Sequence, residues 1–144
     1  MKKFGILHPE LMREITALGH YDSFVICDMA FPIPREAKRI DLAFIEGVPS
    51  FMQTLKAMLK EVIVEKIYLA DNIKMYNPDL DKKVCDLMTK QDLEYIDFAD
   101  FRRLSLEAKF FVRTASCEPC SNIICISAAG VPSMAAARDL NIED

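Results

Sequence analysis

Apolar residues in this chain fall into short bursts, separated by amphipathic segments with helical spacing. Phe24-Val25-Ile26-Cys27, Phe110-Phe111-Val112 and Ile123-Ile124-Cys125-Ile126 are uninterrupted apolar runs, the pattern of strands buried on both faces. Ile40 to Phe44 and Lys66 to Ala70 read as two more strands, and Tyr95 to Phe98 as an extended segment. Leu11, Ile15 and Leu18 share one face of a helix predicted over Pro9–Leu18. Pro9 suits its first turn and Gly19 the position past its end. Phe51, Leu55, Met58, Leu59 and Val62 mark a second helix over Pro49–Val62, and further helices are predicted over Asp79–Thr89 and Phe101–Ala108. Phe31-Pro32-Ile33-Pro34 fits neither a regular helix nor a central strand, so residues 29–38 should form a shaped loop. After Val131, Pro132 and Met134-Ala-Ala-Ala-Arg138 provide for one helical turn or two. Helices alternating with short buried strands predict an α/β fold. The expectation is one compact domain over residues 1–131, a central sheet layered by helices, followed by a C-terminal tail over 132–144.

Composition narrows the function more than the fold. With 144 residues, 51% hydrophobic and 28% charged, the chain can bury a core without disulfides or a structural metal. The net charge is −4, and the longest basic cluster is a pair such as Arg102–Arg103, which disfavours a nucleic-acid partner. No apolar stretch reaches the roughly 18 residues of a membrane-spanning helix. Glu10, Arg13 and Glu14 interrupt the segment where a signal peptide would need its apolar region, so a cytoplasmic protein with no membrane partner is expected. Five cysteines, an odd number, then read as reduced thiols, with Cys27 and Cys125 as small core residues.

Few residues are left to carry chemistry. The sequence has no phosphate loop, no Gly-x-Gly-x-x-Gly, no His-Glu-x-x-His and no Gly-x-Ser-x-Gly. Four glycines make the large nucleotide-binding folds hard to build, and two histidines argue against a His-rich metal site. His8 precedes the Pro9 helix start and reads as a surface residue. His20 follows Gly19 in a loop before the first strand, where an imidazole titrates near neutrality and Asp22 or Asp28 could orient it. The competing reading is a helix-terminal histidine that only complements the dipole. Asp28 ends the first apolar run, at the carboxyl end of a strand where ligands collect in open α/β sheets; the alternative is a loop cap. Cys117-Glu-Pro-Cys120 invites a redox or zinc reading, but it lies late in the chain without a second Cys-x-x-Cys. A turn shaped by Pro119 is the simpler expectation.

Taken together, Leu18-Gly19-His20-x-Asp22, Asp28 and Phe31-Pro32-Ile33-Pro34 resemble the N-terminal signature of D-ribose pyranases. The related L-fucose mutarotases share the Gly-His-x-Asp and the later Asp. Arg39-Ile40-Asp41-Leu42-Ala43, Gly47-Val48-Pro49-Ser50-Phe51, Asn77-Pro78, Arg113-Thr114 and Ser121-Asn122-Ile123-Ile124 resemble the pyranase branch in particular. The resemblance implies an enzyme without cofactor or metal that interconverts cyclic forms of a free monosaccharide. The sugar it implies is D-ribose, converted between β-pyranose and furanose. The alternatives are an L-fucose mutarotase or a catalytically weakened sugar-binding homologue. It also implies a homo-oligomer, commonly a decamer, with each site near a subunit boundary. Carried over by position, His20 matches the catalytic acid/base, while Asp28, Arg102 and Asn122 match sugar-facing groups. Two positions depart from the pattern. Cys120-Ser121-Asn122 stands where relatives carry Tyr-Ala-Asn or Tyr-Gly-Asn, so the Tyr hydroxyl is replaced by a thiol. Phe98 stands where ribose pyranases have a second substrate-facing His, making that part of the pocket more apolar.

Overall fold

The computed structural model describes residues 1–131 and 142. The helical turn expected around Met134–Arg138 lies outside them. In chain order the elements are α1 (Pro9–Thr16), β1 (Ser23–Cys27), β2 (Arg39–Asp41), α2 (Phe51–Leu59), β3 (Val64–Ala70) and α3 (Ile73–Tyr76). They continue with α4 (Pro78–Leu87), β4 (Asp92–Ile96), α5 (Phe98–Ser105), β5 (Phe110–Arg113) and β6 (Ile123–Ser127). The six strands form one sheet in the order β2-β5-β1-β6-β3-β4. The pairs β2–β5, β1–β5 and β3–β4 are parallel, whereas β6 runs antiparallel to both β1 and β3.

Alternation along the central strands divides the core between the two faces of the sheet. Phe24 and Ile26 of β1 join Leu11, Leu55, Met58 and Val84 in the larger cluster, beneath α1, α2 and α4. Val25 and Cys27 turn the other way, to Phe31, Phe101 and Phe111, under α5 and the loop after β1. Burial on both faces explains why β1, β5 and β6 are continuous apolar runs. The predicted layered α/β architecture is the observed one.

Element ends differ from expectation where a cap or an edge intervenes. The second helix begins at Phe51 rather than Pro49, because Ser50 and Gln53 form a reciprocal capping box behind the cis Val48–Pro49 bond. The strand expected over Ile40–Phe44 is only Arg39–Asp41, since this edge strand has one partner, β5, which ends at Arg113. Tyr95 to Phe98 is not one extended piece: β4 closes at Ile96, and Asp97 caps α5 by accepting the Asp100 amide at 2.9 Å. Phe98 therefore opens a helix instead of ending a strand. His8, expected on the surface, is instead half-buried, because it caps α1 through Nδ1, which accepts the Leu11 amide at 3.2 Å.

Candidate functional site

Because β6 is antiparallel to its neighbours, one edge of the sheet collects the carboxyl ends of β1 and β3 together with the start of β6. Asp28 follows β1, Asn122 precedes β6, and Asn72 lies just beyond β3. These three polar residues line a cavity of about 200 Å³. Its remaining wall is apolar or soft: Ala30, Phe31, Pro32, Ala70, Phe98 and Cys120. Among the described residues the lining includes no lysine or arginine.

Asp28 is held by its neighbours through a closed set of bonds. Its amide donates to Asn122 Oδ1 at 2.9 Å, and Asn122 Nδ2 donates to Asp28 Oδ2 at 2.9 Å. The Ala30 amide donates to the other carboxylate oxygen at 2.9 Å. Below this pair, the Thr114 hydroxyl donates to the Cys27 carbonyl, and the Met29 amide donates to the Ser116 carbonyl. Arg113 pins the loop after β1: its Nε donates to the Met29 carbonyl, while Nη1 donates to both Asp41 oxygens at 3.0 and 3.1 Å. The Asp28 carboxylate is thus fixed, yet each oxygen keeps lone-pair capacity toward the cavity.

Cys120 enters the wall with a left-handed backbone, φ 58°, and its carbonyl accepts the Asn122 amide at 2.9 Å. The turn before it is tied down by Asn77, whose Nδ2 donates to the Pro119 carbonyl. Partial burial, with the Asp28 charge as the smaller cause, pushes the Cys120 thiol above the ordinary thiol range. Cys117 is exposed, and both are free thiols. Phe98 packs edge-on to Phe31, with ring centroids 6.5 Å apart, and remains 39% exposed.

Three expected site residues lie elsewhere. Ser121 is fully buried beside the cavity rather than in its wall; its hydroxyl donates to the Glu118 carbonyl and pairs with Ser116 Oγ at 2.8 Å. Arg102, exposed on α5, lines a neighbouring cavity that shares Pro32 with the first. His20 stands at the opposite edge of the sheet, in the turn between α1 and β1, where the Tyr21 amide donates to the carbonyl of Ser127 at the end of β6. Its Nε2 is 3.2 Å from Glu65 Oε2, and its ring stacks on Tyr21 at 3.6 Å. Neither Asp22 nor Asp28 orients it: Asp22 accepts the Gly19 amide and faces Lys109. The five residues of β1 alone separate the edges by about 13 Å at a strand's usual rise. Sequence reasoning did not find Asn72, Phe31 or Glu65, because only the sheet order and the folded loop bring them to these places.

The chain has relatives in both sequence and fold. A D-ribose pyranase from Actinobacillus pleuropneumoniae is 40% identical over 140 residues, covering 92% of this chain and 99% of that protein. Another from Geobacillus thermodenitrificans is 40% identical, covering 86% and 94%. Among solved structures, Bacillus subtilis RbsD complexed with D-ribose superposes with a TM-score of 0.86 at 35% identity, covering 89% of this chain and 98% of that one. The fucose mutarotase of Streptococcus pneumoniae, complexed with L-fucose, shares the fold at 21% identity and a TM-score of 0.68, covering 87% and 95%. The model of the RbsD / FucU transport protein family matches residues 1–131, and the chain belongs to that family.

Proposed function

We propose that this chain is an intramolecular isomerase that interconverts the β-pyranose and furanose forms of free D-ribose by opening and reclosing the ring. The observation that carries the reading is the cavity held by the Asp28–Asn122 pair: a fixed carboxylate facing apolar surface, with no cation among the described residues of the lining. Such a wall accepts hydroxyl donors and stacks on C–H faces, and it offers nothing to a phosphate. A neutral sugar fits it better than a phosphorylated one. Similarity to proteins named D-ribose pyranase, and to RbsD in complex with D-ribose, supports the choice of ribose.

Ring opening removes the anomeric hydroxyl proton and protonates the ring oxygen as the C–O bond breaks; closure reverses this through the original hydroxyl or its neighbour. One group titrating near neutrality can carry both protons in turn, an effect worth on the order of 10²–10⁴-fold. His20 is the acid/base in this reading, its imidazole oriented by Glu65. With Cys120 in place of a tyrosine, no phenol in the wall shares the proton transfer.

Since His20 and Asp28 occupy opposite edges of one sheet, a sugar held by Asp28 meets His20 only from a second copy of the chain. The reading is therefore a homo-oligomer, a decamer as the resemblance implies, with each site at a subunit boundary. It also places the enzyme in the cytoplasm, and no helix among the described residues is long and apolar enough to cross a membrane. Phe4, Phe44 and Met75, each more than three-quarters exposed on a single chain, supply apolar surface for such contacts.

Phe98 favours one second reading, a mutarotase for L-fucose or a related deoxy sugar, because its exposed ring offers a methyl group an apolar wall. Saturation-transfer NMR on D-ribose and L-fucose separates the two. Exchange between ribose pyranose and furanose is expected, and its loss in His20→Ala. Exchange between fucose anomers alone would move the assignment to mutarotase. Exchange of neither sugar above the buffer rate would leave a sugar-binding protein without the activity.

A further inference from the structure

Across the edge that holds Asp28, the polar groups are unequally committed. The Asn122 amide spends both its oxygen and its nitrogen on Asp28, and Ser121 spends its hydroxyl on Ser116 and Glu118. Asn72 does not match them. Its side chain lines the same cavity, but Oδ1 is shielded from solvent and accepts no hydrogen bond. It makes no cap for α3 either, because its backbone is already helical. A shielded acceptor without a donor is costly to keep and uncommon in a folded chain. A ligand hydroxyl entering the cavity removes that cost, and rotation about the soft terminal torsion of the amide turns the oxygen toward it.

We infer that Asn72 is a further sugar-binding residue, whose side-chain carbonyl accepts a hydrogen bond from a ribose hydroxyl while Asp28 accepts another. The inference rests on the sugar reading of this cavity. It adds a specificity: the two acceptors lie on either side of Asn122, one beyond β1 and one beyond β3, with β6 between the two strands. A ligand satisfying both must present two hydroxyl donors in a fixed relation across the ring. A polyol ring does so, whereas a carboxylate or phosphate ligand presents acceptors to acceptors.

The test is the ribose concentration giving half-maximal ring exchange, read by saturation-transfer NMR, together with the melting temperature without sugar. Asn72→Leu keeps the approximate shape and removes the acceptor. It should raise the half-maximal concentration about 5- to 50-fold, change the maximal rate less, and leave the melting temperature equal or higher, since an unpaired polar atom is gone. Asn72→Ala provides the same comparison should the leucine not pack. A normal half-maximal concentration in the leucine or alanine variant, with a raised melting temperature, would make the unpaired oxygen a structural flaw and overturn the inference. Failure of the wild type to exchange ribose would instead remove the reading beneath it.

Discussion

At the scale of single residues, Asp28 is useful because other groups do its folding work. Three hydrogen bonds fix the carboxylate and the backbone beside it, and lone pairs remain for a ligand. Cys120 is the other informative side chain of this wall. Burial and the Asp28 charge both disfavour its thiolate, whereas Cys117, three residues earlier, is exposed. Iodoacetamide near neutral pH should therefore alkylate Cys117 first. Because the Cys120 pKa is raised, its labelling should accelerate only as pH climbs beyond the ordinary thiol value of about 8.5. D-ribose should slow labelling at Cys120 and leave Cys117 untouched, as peptide mass spectrometry can read. Equal rates at the two thiols, with or without sugar, would place Cys120 outside the binding surface. Asp28 could be singled out in the sequence because it ends an apolar run, whereas Cys120 and Phe98 stood out only as departures from the pattern the chain resembles. Asn72 could not, since an Asn before a short helix looks like an ordinary cap until its oxygen is seen without a donor.

Among the elements, β6 does the most to build the site. Lying antiparallel between β1 and β3, it brings Asn122 beside Asp28, 94 residues away in sequence. The apolar run of β6 announced a buried strand, but a run of this kind reads the same in either direction. The antiparallel insertion was therefore not legible, although the helices and central strands were. The boundary between β4 and α5 was missed for another reason. Asp97 is a strong helix cap that outweighs the extended preference of the residues before it. Two substitutions separate stability from function at this scale. Ser50→Ala removes the cap of α2, on a helix that lines no part of the cavity. It should cost about 1 kcal/mol of stability and leave ribose exchange intact below the melting transition. Asn122→Ala strips the Asp28 amide of its acceptor and one carboxylate oxygen of its donor, so about 1–3 kcal/mol of stability should go together with sugar affinity. Denaturant titration and exchange kinetics on both variants check the contrast, and a normal affinity in Asn122→Ala would contradict the role given to the clamp.

For the whole molecule, the decisive fact is that the acid/base candidate and the carboxylate proposed to bind the sugar belong to opposite edges of one sheet. Both residues stood out in the sequence, eight positions apart, close enough for Asp28 to be expected to orient the His20 imidazole. The strand between them reverses the inference, since an extended segment separates its ends. The proposed division of the site between copies leads to a complementation experiment. His20→Ala and Asp28→Asn would each be prepared alone, then unfolded together and reassembled as an equal mixture. Ribose ring exchange measured by saturation-transfer NMR should be nearly absent in either variant alone. In the mixture it should return to about a quarter of the wild-type rate, the random-pairing share when each site draws on two chains. No recovery in a mixture that has reassembled to the wild-type size, or undiminished exchange in His20→Ala alone, would contradict a site shared between neighbouring chains.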